Sequence, residues 1–251
     1  MRGKKPLKFI KHLFVAAFWL LVWQLAAMAV GSELLLPPPL SVLKVLWRLG
    51  GTGKFWLSLG STLLRVALGF LLGAVIGTLL GALSSAVPFL GPLLSPLRSI
   101  IKATPVTSFI VLLLLYLSPV RTPIAVALLM VVPIFWANIS KGVESADVQL
   151  LEMARVFRFG RAKTLRCVYI PSVLPHFLAA ATTGFGFAWK SCVAAEVIAI
   201  SKNSIGKALY ESKLYLETAD LFAWTVAIIL ISMALEALLV RGLGRIADAK
   251  R

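Results

Sequence analysis

The sequence predicts an all-α integral membrane protein with about six transmembrane helices. Hydrophobic residues make up 59% of the 251 residues, charged residues make up only 14%, and the mean hydropathy is +0.92. A soluble domain is roughly 45–50% apolar and about 25% charged, so the composition excludes a soluble enzyme or a disordered chain as the class. Because a helix needs ~20 apolar residues to cross a bilayer, the length allows about five to seven spans.

The amino-terminal part predicts one span and one interfacial helix. Leu13–Val30 is an apolar run behind the basic cytoplasmic flank 1–12. We interpret it as an uncleaved transmembrane helix, because it exceeds the roughly 7–15 apolar residues of a signal peptide. A cleaved signal peptide is the alternative, since Ala27-Met28-Ala29 resembles a cleavage site. After the break at Pro37-Pro38-Pro39, Ser41–Leu49 predicts a short amphipathic helix at the membrane interface.

The predicted core, residues 57–240, contains the other five spans. We place these spans at Leu57–Leu83, Ser99–Leu117, Pro123–Lys141, Ser172–Ile200 and Ala219–Val240. The segment Ser201–Thr218 is expected to be a polar loop. In the first span of the core, glycines recur at every fourth position, at Gly69, Gly73, Gly77 and Gly81. Such a stripe lets a neighbouring helix approach closely, and it predicts helix packing rather than a substrate site.

The positive charge of the chain predicts its orientation. The 26 Lys and Arg residues against ten Asp and Glu give a formal net charge of +16. In a soluble protein this excess would suggest nucleic acid, but in a membrane protein it marks cytoplasmic loops. With six spans, 17 basic residues fall on the side of both termini and 7 on the other side. We therefore expect both termini and the loop 142–171 in the cytoplasm, and no nucleic-acid partner.

The longest polar stretch, residues 142–171, predicts a cytoplasmic helix that binds another protein. Within 146–160, one apolar face at helical spacing is formed by Leu150, Met153, Ala154 and Phe157. This helix could instead lie on the lipid surface. The small centre of the face and the tight link to both neighbouring spans favour a groove in a partner protein.

The same segment resembles the loop of ABC-importer permeases. That pattern is Glu-Ala-Ala, then a glycine, then an apolar residue and a proline, with glutamate and proline 19 residues apart. Here Glu152-Met153-Ala154 opens the segment and Ile170-Pro171 closes it at a spacing of 19. Two positions depart from the pattern. Met153 replaces the first alanine, and Arg158 stands where the family has glycine, the nearest glycine being Gly160.

Further motifs resemble the nitrate/sulfonate/taurine branch of that family over roughly residues 35–245. They are Ser61–Arg65 followed by Gly69-Phe70, Ala188-Trp189 with Ala195-Glu196, Gly206, and Asp220–Ala223. The resemblance implies a type I importer permease in which residues 1–251 form a single transmembrane domain. It also implies that the chain resides in a bacterial or archaeal cytoplasmic membrane and passes a small anionic solute inward by alternating access.

The resemblance implies partners as well. They are a second permease chain, in a homodimer, two cytoplasmic ATPase subunits that hold ATP and magnesium, and an external solute-binding protein. The residues that the resemblance assigns to ATPase coupling are Glu152, Met153, Ala154, Arg155, Phe157, Arg158, Gly160, Ile170 and Pro171. The chain itself is then a transport subunit and not an enzyme, without a catalytic residue, metal or cofactor of its own.

Charged residues also fall within the predicted spans, among them Arg65, Lys190 and Glu196. A charge such as Lys190 at mid-span costs roughly 2.5–3.5 kcal/mol in lipid, so it must face protein or water. Two interpretations of Lys190 stay open: contact with an anionic substrate in a pathway that includes Trp189 and Ser191, or a structural partner for a carboxylate or helix end. Arg65 is expected to snorkel toward the interface, and Glu196 to be structural.

Two other classes of protein fit the sequence less well than a permease does. An ion-coupled secondary transporter would want carboxylates inside the membrane, and only Glu196 and Glu236 are candidates. A membrane-embedded enzyme would need clustered catalytic side chains, which the sequence does not supply. Gly50–Lys54 resembles a phosphate loop, but Arg48 and Phe55 occupy positions that require glycine and Ser/Thr. Any ATPase must therefore be a separate subunit.

Overall fold

The computed structural model describes the backbone of residues 5–248 and the side chains of residues 14–242. Regular structure in this part of the chain is helical. The basic amino-terminal flank 1–12, Arg245 and the terminal Lys250-Arg251 support the predicted orientation, and their side chains lie outside the described residues. The helices are α1 (Lys5–Val30), α2 (Pro39–Gly50), α3 (Gly53–Ala86), α4 (Leu90–Ala103), α5 (Val106–Leu114), α6 (Thr122–Glu144), α7 (Val148–Val156), α8 (Arg161–Thr164), a π-helix (Leu165–Tyr169), α9 (Ile170–Ala199), α10 (Ile205–Leu214) and α11 (Thr218–Asp248).

Within the described residues, three helices are long and apolar enough to cross a membrane, namely α3, α6 and the part of α11 up to Gly242. The pair α4 and α5 makes a fourth if it counts as one span. The other expected spans coincide with α1, whose described apolar part is Phe14–Val30, and with α9, a helix of 30 residues. The helical membrane fold is therefore confirmed, while the total of six spans stays a prediction.

The segment predicted as the span Ser99–Leu117 is not one straight helix. Helices α4 and α5 meet at an angle of 98°. Between them, Thr104 and Pro105 are extended, with ψ angles of 126° and 139°. The proline ring disfavours the helical conformation of the residue before it, and proline has no N–H with which to continue the helix. Pro105 therefore breaks this segment, whereas Pro133 lies inside α6 without interrupting it.

The centre of the fold is the packing of α3 against α6, and of α6 against α9. The glycine stripe of α3 lies directly on α6. A Cβ atom at Gly69 would lie 2.6 Å from the Cβ of Ala127, and one at Gly77 would lie 2.6 Å from the carbonyl oxygen of Val132. Each distance is shorter than real Cβ contacts, so only glycine permits this separation of the two helices.

The expected polar loop Ser201–Thr218 contains a helix, so that expectation is wrong. Helix α10 begins after Ser204, whose hydroxyl accepts a hydrogen bond from the amide of Lys207 at 2.9 Å. Ile205 and Ala208 are buried, while the lysines of the helix lie toward the surface. The serine cap and the burial of Ile205 and Ala208 stabilise a helix in this segment, which its polar composition alone does not predict.

Candidate functional site

The loop between α6 and α9 presents an apolar surface on a short helix. Asp147 caps α7, since its carboxylate accepts a hydrogen bond from the amide of Gln149 at 2.8 Å. Ala154 is buried against its own chain, at 3% exposure. The large apolar side chains that remain exposed are Val148, Leu150, Met153, Val156 and Phe157. The structure thus exposes most of the predicted docking face and separates Ala154 from it.

Helix α7 ends in a turn of the Schellman type at Arg158. The amide of Phe159 donates to the carbonyl of Ala154 at 2.8 Å, and the amide of Arg158 donates to that of Arg155 at 3.0 Å. Arg158 itself has a φ angle of +52°, a left-handed conformation that favours glycine. The family that the chain resembles has glycine at this position. Arg158 nevertheless adopts a left-handed conformation, so the replacement of glycine by arginine does not abolish the turn at the end of α7.

The remaining residues assigned to coupling lie along the return to the membrane. Gly160 is extended, with φ −64° and ψ 158°, and caps α8. The chain then forms the π-helix, and Ile170 and Pro171, both exposed, begin α9. Proline in the first turn of a helix removes an N–H that has no partner there in any case. Glu152 and Arg155 are likewise exposed on α7.

The candidate pathway residues do not share one face of α9. Trp189 and Ser191 are buried, at 2% and 6% exposure, and Trp189 lies in the main core of the bundle. Lys190 is exposed, and no carboxylate of the described residues lies within ion-pairing distance of it. The exposed positions recur every three or four residues along α9, at Pro171, Pro175, Ala179, Thr183, Phe187, Lys190, Ala194 and Ile198.

A buried ion pair joins α3 to α9, and the expectation that Arg65 snorkels is wrong. The guanidinium of Arg65 donates to the carboxylate of Glu196 at 2.6 Å, with side-chain exposures of 8% and 0%. The hydroxyl of Thr62 and the amide of Gly206 also donate to this carboxylate, at 2.9 Å and 3.3 Å. Arg65 further donates to the carbonyl of Lys202 at 2.8 Å. The network therefore fixes the start of α10 to both helices.

The described side chains, residues 14–242, contain no group of three His, Cys, Asp or Glu residues that could hold a metal ion. The features that stand out are therefore surfaces and packing: the apolar α7, the exposed face of α9 with its lysine, and the glycine contact between α3 and α6. Together they define a helical membrane protein with an exposed apolar helix in the loop between α6 and α9.

Comparison with known proteins identifies the family. A family model described as "Binding-protein-dependent transport system inner membrane component" matches residues 69–251, and the chain belongs to this family. It is 25% identical over 224 residues to the putative aliphatic sulfonates transport permease SsuC of Bacillus subtilis (strain 168), covering 88% of this chain and 80% of that protein. The resemblance drawn from the sequence is confirmed.

Two other relatives agree with this assignment. The taurine transport system permease TauC of Escherichia coli (strain K12) is 26% identical over 221 residues, covering 85% of this chain and 80% of that protein. A crystal structure of an amino acid ABC transporter with histidines matches 77% of this chain and 94% of that chain, with a TM-score of 0.58 at 17% identity. The structural match supports the fold alone.

Proposed function

We propose that this chain is the transmembrane subunit of an ATP-driven importer. In this proposal it passes a small anionic solute of the sulfonate or taurine type from an external binding protein into the cytoplasm by alternating access. Both termini and the loop 142–171 lie in the cytoplasm of a bacterial or archaeal cell. ATP and magnesium are held by partner ATPase subunits, and this chain carries no catalytic residue.

The observation that carries the proposal is the exposed apolar surface of α7. Val156 and Phe157 are 78% and 68% exposed at the end of this helix. A soluble loop gains nothing from displaying such side chains, but a groove on a partner subunit buries them favourably, at about 25 cal/mol per Å². The Asp147 cap and the Arg158 turn hold α7 in helical form at both ends. The chain joins α7 to α6 through a short turn and to α9 through α8 and the π-helix, and we infer that movement of α7 reaches the two membrane helices along these connections.

The exposed face of α9 supports a second permease chain as partner. Lys190 lies near the middle of this face, where contact with lipid would cost roughly 2.5–3.5 kcal/mol. That face must therefore meet protein or water. A second copy of the chain, related by a two-fold axis, would bring two such faces together around a pathway. Two ammonium groups there favour an anionic solute, which agrees with the sulfonate and taurine permeases that the chain resembles.

The test is the recovery of an ATPase with the chain from its native membrane. The chain is solubilised in mild detergent and captured by a tag, and its partners are identified by mass spectrometry. We expect an ABC ATPase to be recovered with the wild type and to be lost with Phe157→Glu. The matched control is Leu214→Glu, a change of similar exposure on α10, which should leave the recovery unchanged.

The alternative function is ion-coupled secondary transport. The buried carboxylate of Glu196 is an obvious coupling group for it, but it is held by Arg65 and Thr62. That alternative predicts a chain recovered alone, with uptake that survives ATP depletion and stops with an ionophore. Recovery of the chain without an ATPase, combined with such uptake, would replace the importer proposal.

A further inference from the structure

A polar cleft lies where α4 crosses the ends of α3 and α6, at the loop end of the bundle. Its volume is about 260 Å³. The side chains that matter for its chemistry are Ser84, Ser85, Arg98, Trp136, Ser140 and Glu144. Glu144 is the last residue of α6, so the cleft lies at the end of a membrane-crossing helix. At this depth a bilayer changes from hydrocarbon to headgroups.

Two serines and a glutamate in the lining of the cleft offer acceptors rather than donors. The hydroxyls of Ser85 and Ser140 both donate to the carbonyl of Gly81, at 3.1 Å and 3.2 Å. Their oxygens keep lone pairs that can accept a hydrogen bond from a ligand. The carboxylate of Glu144 at the rim is exposed and is also an acceptor. These three side chains therefore suit a cationic donor such as a primary ammonium.

Arg98 adds a cation to the lining of the cleft. Its guanidinium carbon lies 5.7 Å from the centre of the Trp136 ring, and the indole N–H of Trp136 donates to Ser84 at 2.9 Å. Arg98 is half-buried, and no carboxylate of the described residues lies within 4.0 Å of its guanidinium. A guanidinium has five N–H donors in a fork that matches an oxyanion.

We propose that this cleft binds a zwitterion that carries an oxyanion and a primary ammonium a few atoms apart. The oxyanion contacts Arg98, and the ammonium contacts Ser140 and Glu144. A phosphoethanolamine headgroup of the surrounding bilayer has this chemistry, and so does a soluble aminoethyl sulfonate or phosphate. The site is separate from the α7 surface and from Lys190, and it requires only that the chain crosses a membrane.

The experiment measures lipid retention by the purified full-length chain with native mass spectrometry. The probes are phosphatidylethanolamine and phosphatidylglycerol with identical acyl chains, since the latter lacks the ammonium. We expect wild type to bind phosphatidylethanolamine about tenfold more tightly than phosphatidylglycerol. Arg98→Gln should weaken both, and Glu144→Gln should remove the preference. Arg121→Gln, an exposed arginine at the other end of α6, is the matched control and should change neither.

A second arm of the experiment distinguishes the source of the zwitterion. Taurine and O-phosphoethanolamine are added as soluble competitors. Displacement of the lipid at millimolar concentration indicates a soluble ligand, and retention of the lipid indicates a headgroup site. Equal binding by Arg98→Gln and Arg121→Gln, or wild type without any preference between the lipids, overturns the proposal. If Arg98→Gln does not fold, Arg98→Lys and Glu144→Gln are measured instead. The preference for phosphatidylethanolamine should then be kept in Arg98→Lys and lost in Glu144→Gln, because it depends on the contact between the ammonium and Glu144.

Discussion

Replacement of Gly77 by alanine tests whether the close approach of α3 and α6 holds the bundle together. An alanine Cβ there would lie 2.6 Å from the carbonyl oxygen of Val132 and 2.7 Å from the Cβ of Phe135. Ordinary contact begins at 3.4 Å, so the helices must separate locally by about 0.8 Å. Neither atom is at the end of a flexible side chain, and the separation propagates along the stripe. Overpacking of this kind costs about 1–3 kcal/mol.

The expected result is a lower unfolding temperature for Gly77→Ala in detergent. A loss of about 2 kcal/mol corresponds to a decrease of about 4–8 °C for a chain of this size, when both proteins are scanned at one rate. The matched control is Gly60→Ala in the same helix, where a Cβ meets no atom within 4 Å. That change should raise the unfolding temperature slightly, because alanine favours an exposed helix by about 1 kcal/mol.

An unfolding temperature for Gly77→Ala equal to that of Gly60→Ala would refute the reasoning. It would mean that α3 and α6 are held apart in the membrane and that the glycines serve another purpose. A decrease in both variants would instead indicate that α3 tolerates no added side chain along its length. Only a decrease confined to position 77 supports a contact made by the stripe.

Three further predictions concern single charged side chains. Arg158→Gly should slow hydrogen exchange at the amide of Phe159 about two- to fivefold, because relief of the left-handed strain exceeds the entropy cost of glycine; faster exchange would contradict the turn. Arg65→Met should lower the free energy of unfolding by about 3–5 kcal/mol, and Glu196→Leu in addition should restore only part of it in the same thermal scan, because the Thr62 hydroxyl and the Gly206 amide then lose their acceptor. Lys190→Gln should raise the KM for uptake of an anionic solute severalfold while ATPase recovery stays at the wild-type level; an unchanged KM would remove Lys190 from the pathway.

Most of the fold can be predicted from the hydrophobic runs and the glycine spacing of the sequence. The positions of α3 and α6 follow from apolar length, since each run exceeds the thickness of the hydrocarbon core. The break at Pro105 could have been predicted, because the residue before a proline avoids the helical region. A hydropathy window spreads over such a break and merges α4 with α5. Hydropathy alone therefore does not reveal the break between α4 and α5, whereas the position of Pro105 does.

The buried network at Glu196 could not be predicted from one sequence. Its members Arg65 and Glu196 are 131 residues apart, and neither has a partner at helical spacing. Arg65 stands about two turns inside the predicted span, where a long side chain can extend toward the interface or bind a neighbouring helix. Only the packing of α3 against α9 decides between these outcomes. The hidden helix α10 depends on the same network, because the amide of Gly206 needs the Glu196 carboxylate.

The two ends of the bundle are built for different degrees of movement. At the α10 end, hydrogen bonds among buried side chains join α3, α9 and α10. At the loop end, a cavity of about 640 Å³ opens between the ends of α3 and α6 and the start of α9, beside the π-helix. Its lining is mostly apolar, including Ile139, Val143 and Tyr169. A force applied through α7 therefore meets space before it meets the ion pair, and we expect the helices to shift first at the loop end.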